Sequence, residues 1–256
     1  AGANGAGAVG IVGAGAATMA LAAMPAPDAL LVNERSGVVV SPGRFLAVVS
    51  ARPEESAALA DRLGRFGTDV AGVTLGGIPL VELPLAAVRE RILVSETDPR
   101  LFTGTLRDEL DPWGTHSDAE ILDALSVASG DDVLEALADG LDSEVEERGR
   151  SFSGGQRQRL ALTRALLGAA DTLVLVEPTS AVDAHTEARI AARLAEHRRG
   201  RTTVVMTASP LLLDQADSVL LLADGRVVAS GTHHQLMHDH PARTAYRAVV
   251  VRGEED

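Results

Sequence analysis

The 256-residue chain contains no lysine; all 23 of its basic residues are arginines. No side-chain ammonium group is therefore available for catalysis or for anion binding. Cysteine is absent too, which excludes disulfides and thiolate-bound metal. Aromatic residues make up 2% of the chain and none precedes Phe45. Positive charge is scarce: the net charge is −13, and the densest basic stretch is His197-Arg198-Arg199-Gly200-Arg201. That balance argues against nucleic acid as a partner. Residues 1–27 carry no charge at all and are rich in Ala and Gly. Lacking a basic leading region, they make a poor signal peptide. A low-complexity linker, or the end of a membrane-associated segment, is expected there.

What the chain does contain is concentrated in two segments. The first is Ser151-Phe152-Ser153-Gly154-Gly155-Gln156-Arg157-Gln158-Arg159-Leu160. Leu160, Ala161, Ala165 and Leu166 recur at helical spacing among basic residues, so a helix with Ser153 as its N-cap is predicted. Gly154 and Gly155 would leave backbone N–H groups free at the positive end of that helix, where an anion is favoured. The second is Leu173-Val174-Leu175-Val176-Glu177-Pro178-Thr179-Ser180-Ala181-Val182-Asp183. Its apolar run reads as a strand buried on both faces of a parallel sheet. Glu177 falls at the C-terminal end, where such sheets carry their ligands.

Together the two segments resemble the signature motif and the Walker B/D-loop region of ABC-transporter nucleotide-binding domains. The resemblance implies an α/β fold: an ABC-type P-loop NTPase core with a mainly parallel sheet, an N-terminal antiparallel β part and an inserted α-helical subdomain. It implies ATP and Mg²⁺ as ligands, and a head-to-tail dimer in which each signature contacts the γ-phosphate held by the other domain. Ser153, Gly154, Gly155 and Gln156 then correspond to the signature, Glu177 to the residue that polarises the attacking water, and Asp183 to the D-loop aspartate. Glu147-Arg148-Gly149 resembles the X-loop of exporter-type domains.

The remaining family positions are altered. A phosphate loop should follow the strand Gly43–Val49, yet the chain reads Ser50-Ala51-Arg52-Pro53-Glu54-Glu55-Ser56-Ala57-Ala58. The glycines that let successive N–H groups wrap an anion are gone. Pro53 removes one N–H. Ser56 replaces the phosphate-binding lysine, and Ala57 lacks the hydroxyl that would ligate Mg²⁺. Glu54 and Glu55 add negative charge; at ~4 Å each would repel a phosphate charge by about 1–4 kcal/mol. Val176 occupies the position of the Mg²⁺-associated aspartate, Glu96 that of the Q-loop glutamine, and Ala208 that of the switch histidine. Without a hydrogen-bonding side chain, Ala208 cannot hold a γ-phosphate.

The expected organisation is a linker over 1–27, one nucleotide-binding domain over 28–240 with a helical subdomain at about 105–165, and a C-terminal tail over 241–256. A helix is predicted from Glu54 to Phe66, a Q-loop strand from Ile92 to Ser95, a strand from Thr202 to Met206, and a hairpin turning at Asp224-Gly225. His233, His234, His238 and His240 lack the framing of a metal motif and fit a surface helix, so no metal ligands are assigned. The expected partners are a second nucleotide-binding domain with an intact phosphate loop and a transmembrane domain in cis or in trans, with the chain at the cytoplasmic face of the cell membrane. An active homodimeric ATPase with an unusual phosphate loop, and a non-catalytic scaffold, are the alternatives.

Overall fold

The structure is a computed structural model that describes residues 22–97, 100–146 and 149–251. In chain order the first part holds β1 (Leu31–Asn33), β2 (Val38–Val40), β3 (Phe45–Ser50), α1 (Pro53–Leu63), β4 (Val73–Leu75), β5 (Ile78–Pro79), α2 (Leu85–Arg91) and β6 (Ile92–Ser95). A largely helical middle follows, with β7 (Gly104–Thr105), α3 (Leu106–Leu110), α4 (Asp118–Val127), α5 (Asp131–Glu135), β8 (Glu144–Val145) and α6 (Gly154–Leu167). The last part holds β9 (Thr172–Val176), α7 (Ala184–His197), β10 (Thr202–Met206), α8 (Pro210–Leu213), β11 (Ser218–Ala223), β12 (Arg226–Gly231), α9 (His233–His238) and α10 (Arg243–Val250).

The six-stranded sheet runs β12-β11-β3-β10-β9-β6. It is parallel from β11 to β6, and β12 is antiparallel at one edge. A second sheet, β2-β1-β4-β5, is antiparallel throughout. The molecule is thus a mixed α/β fold with a mainly parallel core sheet, an antiparallel β part near the N-terminus and an inserted helical region. β9 and β10 are buried at every position, and β3 at all but its last. Each such Val or Leu removed from water contributes roughly 1.5–3 kcal/mol, which is why continuous apolar runs, rather than alternating ones, form the centre of the sheet.

This parallel arrangement brings Ser50, Ser95, Val176, Met206 and Ala223 to one edge as the last residues of their strands. The loops that leave that edge, and the first turn of α1, carry Arg52 to Glu55, Glu96, Glu177, Thr207 and Asp224-Gly225. Residues distant in sequence are in this way assembled at the end of the sheet where α/β folds place ligands.

Two local outcomes differ from expectation. Helix α1 stops at Leu63 rather than Phe66, with Gly64 as its C-cap and Arg65 at φ +54°. The chain must pass close to β6 there: a Cβ on Gly64 would lie 2.5 Å from Val94 Cγ2. The stretch expected as a tail over 241–256 carries α10, whose Tyr246 and Val250 are buried against β3 and β11 residues such as Val49 and Val219. The hairpin forms at Asp224-Gly225, where φ values of +50° and +72° give the left-handed pair that tight hairpins need.

Candidate functional site

Helix α6 begins immediately after Ser153. The Ser153 hydroxyl accepts the Gln156 N–H at 3.2 Å, and the Gln156 side-chain oxygen accepts the Ser153 N–H at 2.8 Å. This reciprocal capping box satisfies two backbone donors and fixes the helix start. It engages neither the Gly154 nor the Gly155 N–H. The two glycines have different surroundings. A Cβ on Gly155 would meet the Ala181 carbonyl oxygen at 2.5 Å, whereas one on Gly154 would touch only Ala181 Cβ, at 3.9 Å. Gly155 is needed for packing, while Gly154 and Ser153 are exposed.

One further residue of the signature segment ties it to the strand end beside it. Gln158, buried, donates to the Glu177 carbonyl at 2.9 Å and to the Ser180 hydroxyl at 3.0 Å, and it accepts the Ala181 N–H at 2.9 Å. Arg159 forks onto Asp132 of α5, with an Nη2–Oδ2 distance of 3.0 Å, and so joins α6 to the helical region. Gln158 lies within the sequence segment that drew attention, but its link to Glu177 spans two segments and no spacing rule points to it.

Glu177 adopts φ +46°, a conformation that non-glycine residues seldom take and that recurs at ligand sites. Its N–H donates to the Met206 carbonyl at 2.9 Å. The Thr207 hydroxyl donates to the Glu177 carboxylate at 3.3 Å. Burial pushes the Glu177 carboxyl up to about 7; the Thr207 bond pulls it down, and the nearby Glu187 adds to the rise. This environment suits a group that takes up or releases a proton near neutrality. Thr207 was not among the expected site residues. Next to Glu177, Val176 is buried and registers with Met206 of β10. Asp183 caps α7, accepting the His185 and Thr186 N–H groups at 3.0 Å each, and its bonds to Thr186 hold its carboxyl below the usual range. It is exposed.

The β3–α1 connection is only Ala51-Arg52. Pro53 takes the first helical position, and Arg52 makes no side-chain cap. The Glu55 side chain lies over this loop, accepting the Ser50 hydroxyl at 2.7 Å and the Gly225 N–H at 3.1 Å, and pairing with the Arg52 guanidinium. Arg52 also donates to Asp224 at 2.7 Å. Ser56 is buried under the loop, while Glu54 and Ala57 are exposed. Glu96 is exposed beyond the end of β6, and the following Thr97 hydroxyl donates to the Val176 carbonyl at 3.4 Å. Ala208 follows Thr207, whose hydroxyl also accepts the Ser209 N–H at 3.1 Å. Glu147 and Arg148 of the expected X-loop, and Asp98-Pro99 of the Q-loop, lie outside the described residues.

A groove of about 850 Å³ opens between β6 and the helical region, lined in part by Phe66, Glu96, Phe102, Trp113 and Arg164. Phe102 and Trp113 are 69% and 86% exposed. The buried Glu109 carboxylate accepts the Phe102 N–H at 2.7 Å and pairs with Arg164, which anchors this rim. His233 uses Nδ1 to bond the buried Tyr246 hydroxyl at 2.8 Å. No group of three or more metal-ligating side chains occurs among the described residues.

A mainly parallel sheet with loops gathered at one strand edge, a serine-capped glycine helix start and a partly buried glutamate at the end of a central strand define a nucleotide-binding α/β domain with a helical insertion. The family model described as ABC transporter matches residues 64–180. The ATP-dependent lipid A-core flippase of Chromobacterium violaceum is 34% identical over 201 residues, covering 77% of this chain and 34% of that protein. That of Alkalilimnicola ehrlichii is 36% identical over 205 residues, covering 78% of this chain and 34% of that protein. Among solved structures, a bacterial Atm1-family ABC exporter with ATP bound superposes with a TM-score of 0.76 at 25% identity, covering 86% of this chain and 41% of that one. The chain belongs to the ABC transporter family as a nucleotide-binding domain of the exporter type. It spans about a third of the length of the curated relatives it matches.

Proposed function

We propose that this domain is the half of an ABC exporter pair that lends its signature to a partner's ATP site and scarcely supports nucleotide at its own. The observation that carries this reading is the contrast between the two helix starts. At α6 the Gly154 N–H end is exposed and free of the capping box. At α1 the space before the helix is short, closed over by Glu55 and bounded by a proline that lacks an N–H. The residues present do not fit MgATP: no lysine is available, Val176 puts a buried isopropyl group where the metal needs a carboxylate, and Ala208 offers no side-chain donor to a γ-phosphate. The family match begins at residue 64, past this loop, and is in keeping with the same reading.

The partner on this view is a second nucleotide-binding domain with an intact phosphate loop, binding the ATP and Mg²⁺ whose hydrolysis drives export. Ser153, Gly154, Gly155 and Gln156 face that partner's γ-phosphate, and Asp183 lies at the shared interface. Glu177 and Glu96 keep family positions without a nucleotide to act on. The groove beside β6 supports docking of a transmembrane domain, in cis or in trans. Three of the chain's six aromatic residues, Phe66, Phe102 and Trp113, line it, and two of them are largely exposed. On this reading the domain works at the cytoplasmic face of the cell membrane. Among the described residues no helix is long and apolar enough to cross a membrane.

The test is titration calorimetry of the purified chain with MgATP. No binding in the micromolar range is expected. A micromolar dissociation constant would instead favour the active homodimer.

A further inference from the structure

The Glu55 carboxylate is held as a bound anion would be. Its Oε2 accepts the Ser50 hydroxyl at 2.7 Å, and its Oε1 accepts the Gly225 N–H at 3.1 Å and pairs with the Arg52 guanidinium. The side chain is 11% exposed. A hydroxyl, a backbone N–H and a guanidinium, drawn from the β3–α1 loop and the β11–β12 turn, form the mixed donor set that receives phosphate oxygens. An ionised carboxylate only accepts, so it matches these donors without leaving a proton unpaired. Arg52 is itself fixed from the other side by its 2.7 Å bond to Asp224. The donors are therefore positioned by the hairpin turn as well as by Glu55.

We propose that Glu55 is an internal occupant of this domain's phosphate position: an autoinhibitory latch that fastens the β3–α1 loop to the Asp224-Gly225 turn and excludes oxyanions. The inference rests on the reading that this site is nucleotide-poor, and it names the group that blocks it. Loss of lysine and glycines weakens a phosphate site; a carboxylate already seated among the donors closes it. Removal of that carboxylate leaves the Ser50 hydroxyl, the Gly225 N–H and Arg52 converging on a vacated space. An anion can then enter, although Mg²⁺ chemistry stays absent because Val176 is unchanged.

The experiment uses the full chain and tripolyphosphate without metal, a probe that tests the anion position alone, followed by calorimetry and thermal melting. Wild type is expected to bind weakly. Glu55→Ala is expected to bind at least about tenfold tighter, equivalent to ~1.4 kcal/mol. Adding Arg52→Ala is expected to abolish the gain, since the guanidinium is the one charged donor. Glu55→Ser, which leaves a hydroxyl to hydrate the space, serves if the alanine variant does not fold. A folded Glu55 variant that binds no tighter than wild type overturns the latch while leaving the nucleotide-poor reading intact. Micromolar binding by the wild-type chain itself overturns both.

Discussion

At the residue scale the most unusual group is Glu177, a carboxylate at φ +46° whose surroundings push its proton affinity up to about 7. A carboxyl group raised above its unfolded value stabilises the fold when protonated. That contribution is complete below about pH 4.5 and is lost as the pH rises through 7. By linkage the difference is on the order of 3 kcal/mol. Glu177→Gln removes the titration while keeping an oxygen for the Thr207 hydroxyl. In urea melts, wild type should lose stability relative to this variant between pH 5 and pH 8, and a parallel pH dependence in the two proteins would refute the buried state of Glu177. The identity of this residue was legible in the sequence, because an apolar run ending in Glu-Pro-Thr-Ser marks the edge of a sheet. Its environment was not: Thr207 comes from the loop after β10, thirty residues away, and Gln158 from the preceding helix. The same limit hid the Glu55 contacts, since Gly225 approaches Ser50 only because β11 pairs with β3.

At the element scale, sequence and structure agree where one local rule suffices. The Ser153 cap, the β9 and β10 runs and the Asp224-Gly225 turn each follow from neighbouring residues. The two-residue strands β5, β7 and β8 have too little period to be read, and they form because tertiary contacts hold them. Strand order is likewise invisible in sequence, since β3 lies between β11 and β10 through pairings more than a hundred residues apart. For α6 the structure separates two glycines that the sequence presents as equivalent. Gly155→Ala would force a Cβ to within 2.5 Å of the Ala181 carbonyl. Backbone must move to accommodate it, at a cost of roughly 1–3 kcal/mol. Gly154→Ala meets nothing closer than 3.9 Å and should change stability by a few tenths of that or less. Chemical denaturation of both variants checks the distinction, and equal losses would mean that α6 does not pack on the Ala181 turn as described.

At the scale of the whole molecule, the claim that this chain works through its signature comes down to Gly154. The residue is exposed, has room for a side chain, and lies at the first position of a helix whose N-terminal dipole favours negative charge. Gly154→Asp should therefore leave the domain folded, and the new carboxylate even suits α6 in isolation by some tenths of a kcal/mol up to about 1 kcal/mol. In the assembled pair the same carboxylate would face the partner's γ-phosphate across a largely dry interface, where like charges repel strongly. A loss of about 3 kcal/mol in transition-state stabilisation corresponds to roughly a hundredfold in turnover. Steady-state ATP hydrolysis by the reconstituted pair should fall by that factor or more, with the circular dichroism of the variant chain unchanged and its melting temperature no lower than that of wild type. Because the substitution favours the helix and disfavours only an anion outside it, a folded variant with undiminished hydrolysis would show that no partner phosphate meets this surface, and the scaffold reading would then replace the one proposed.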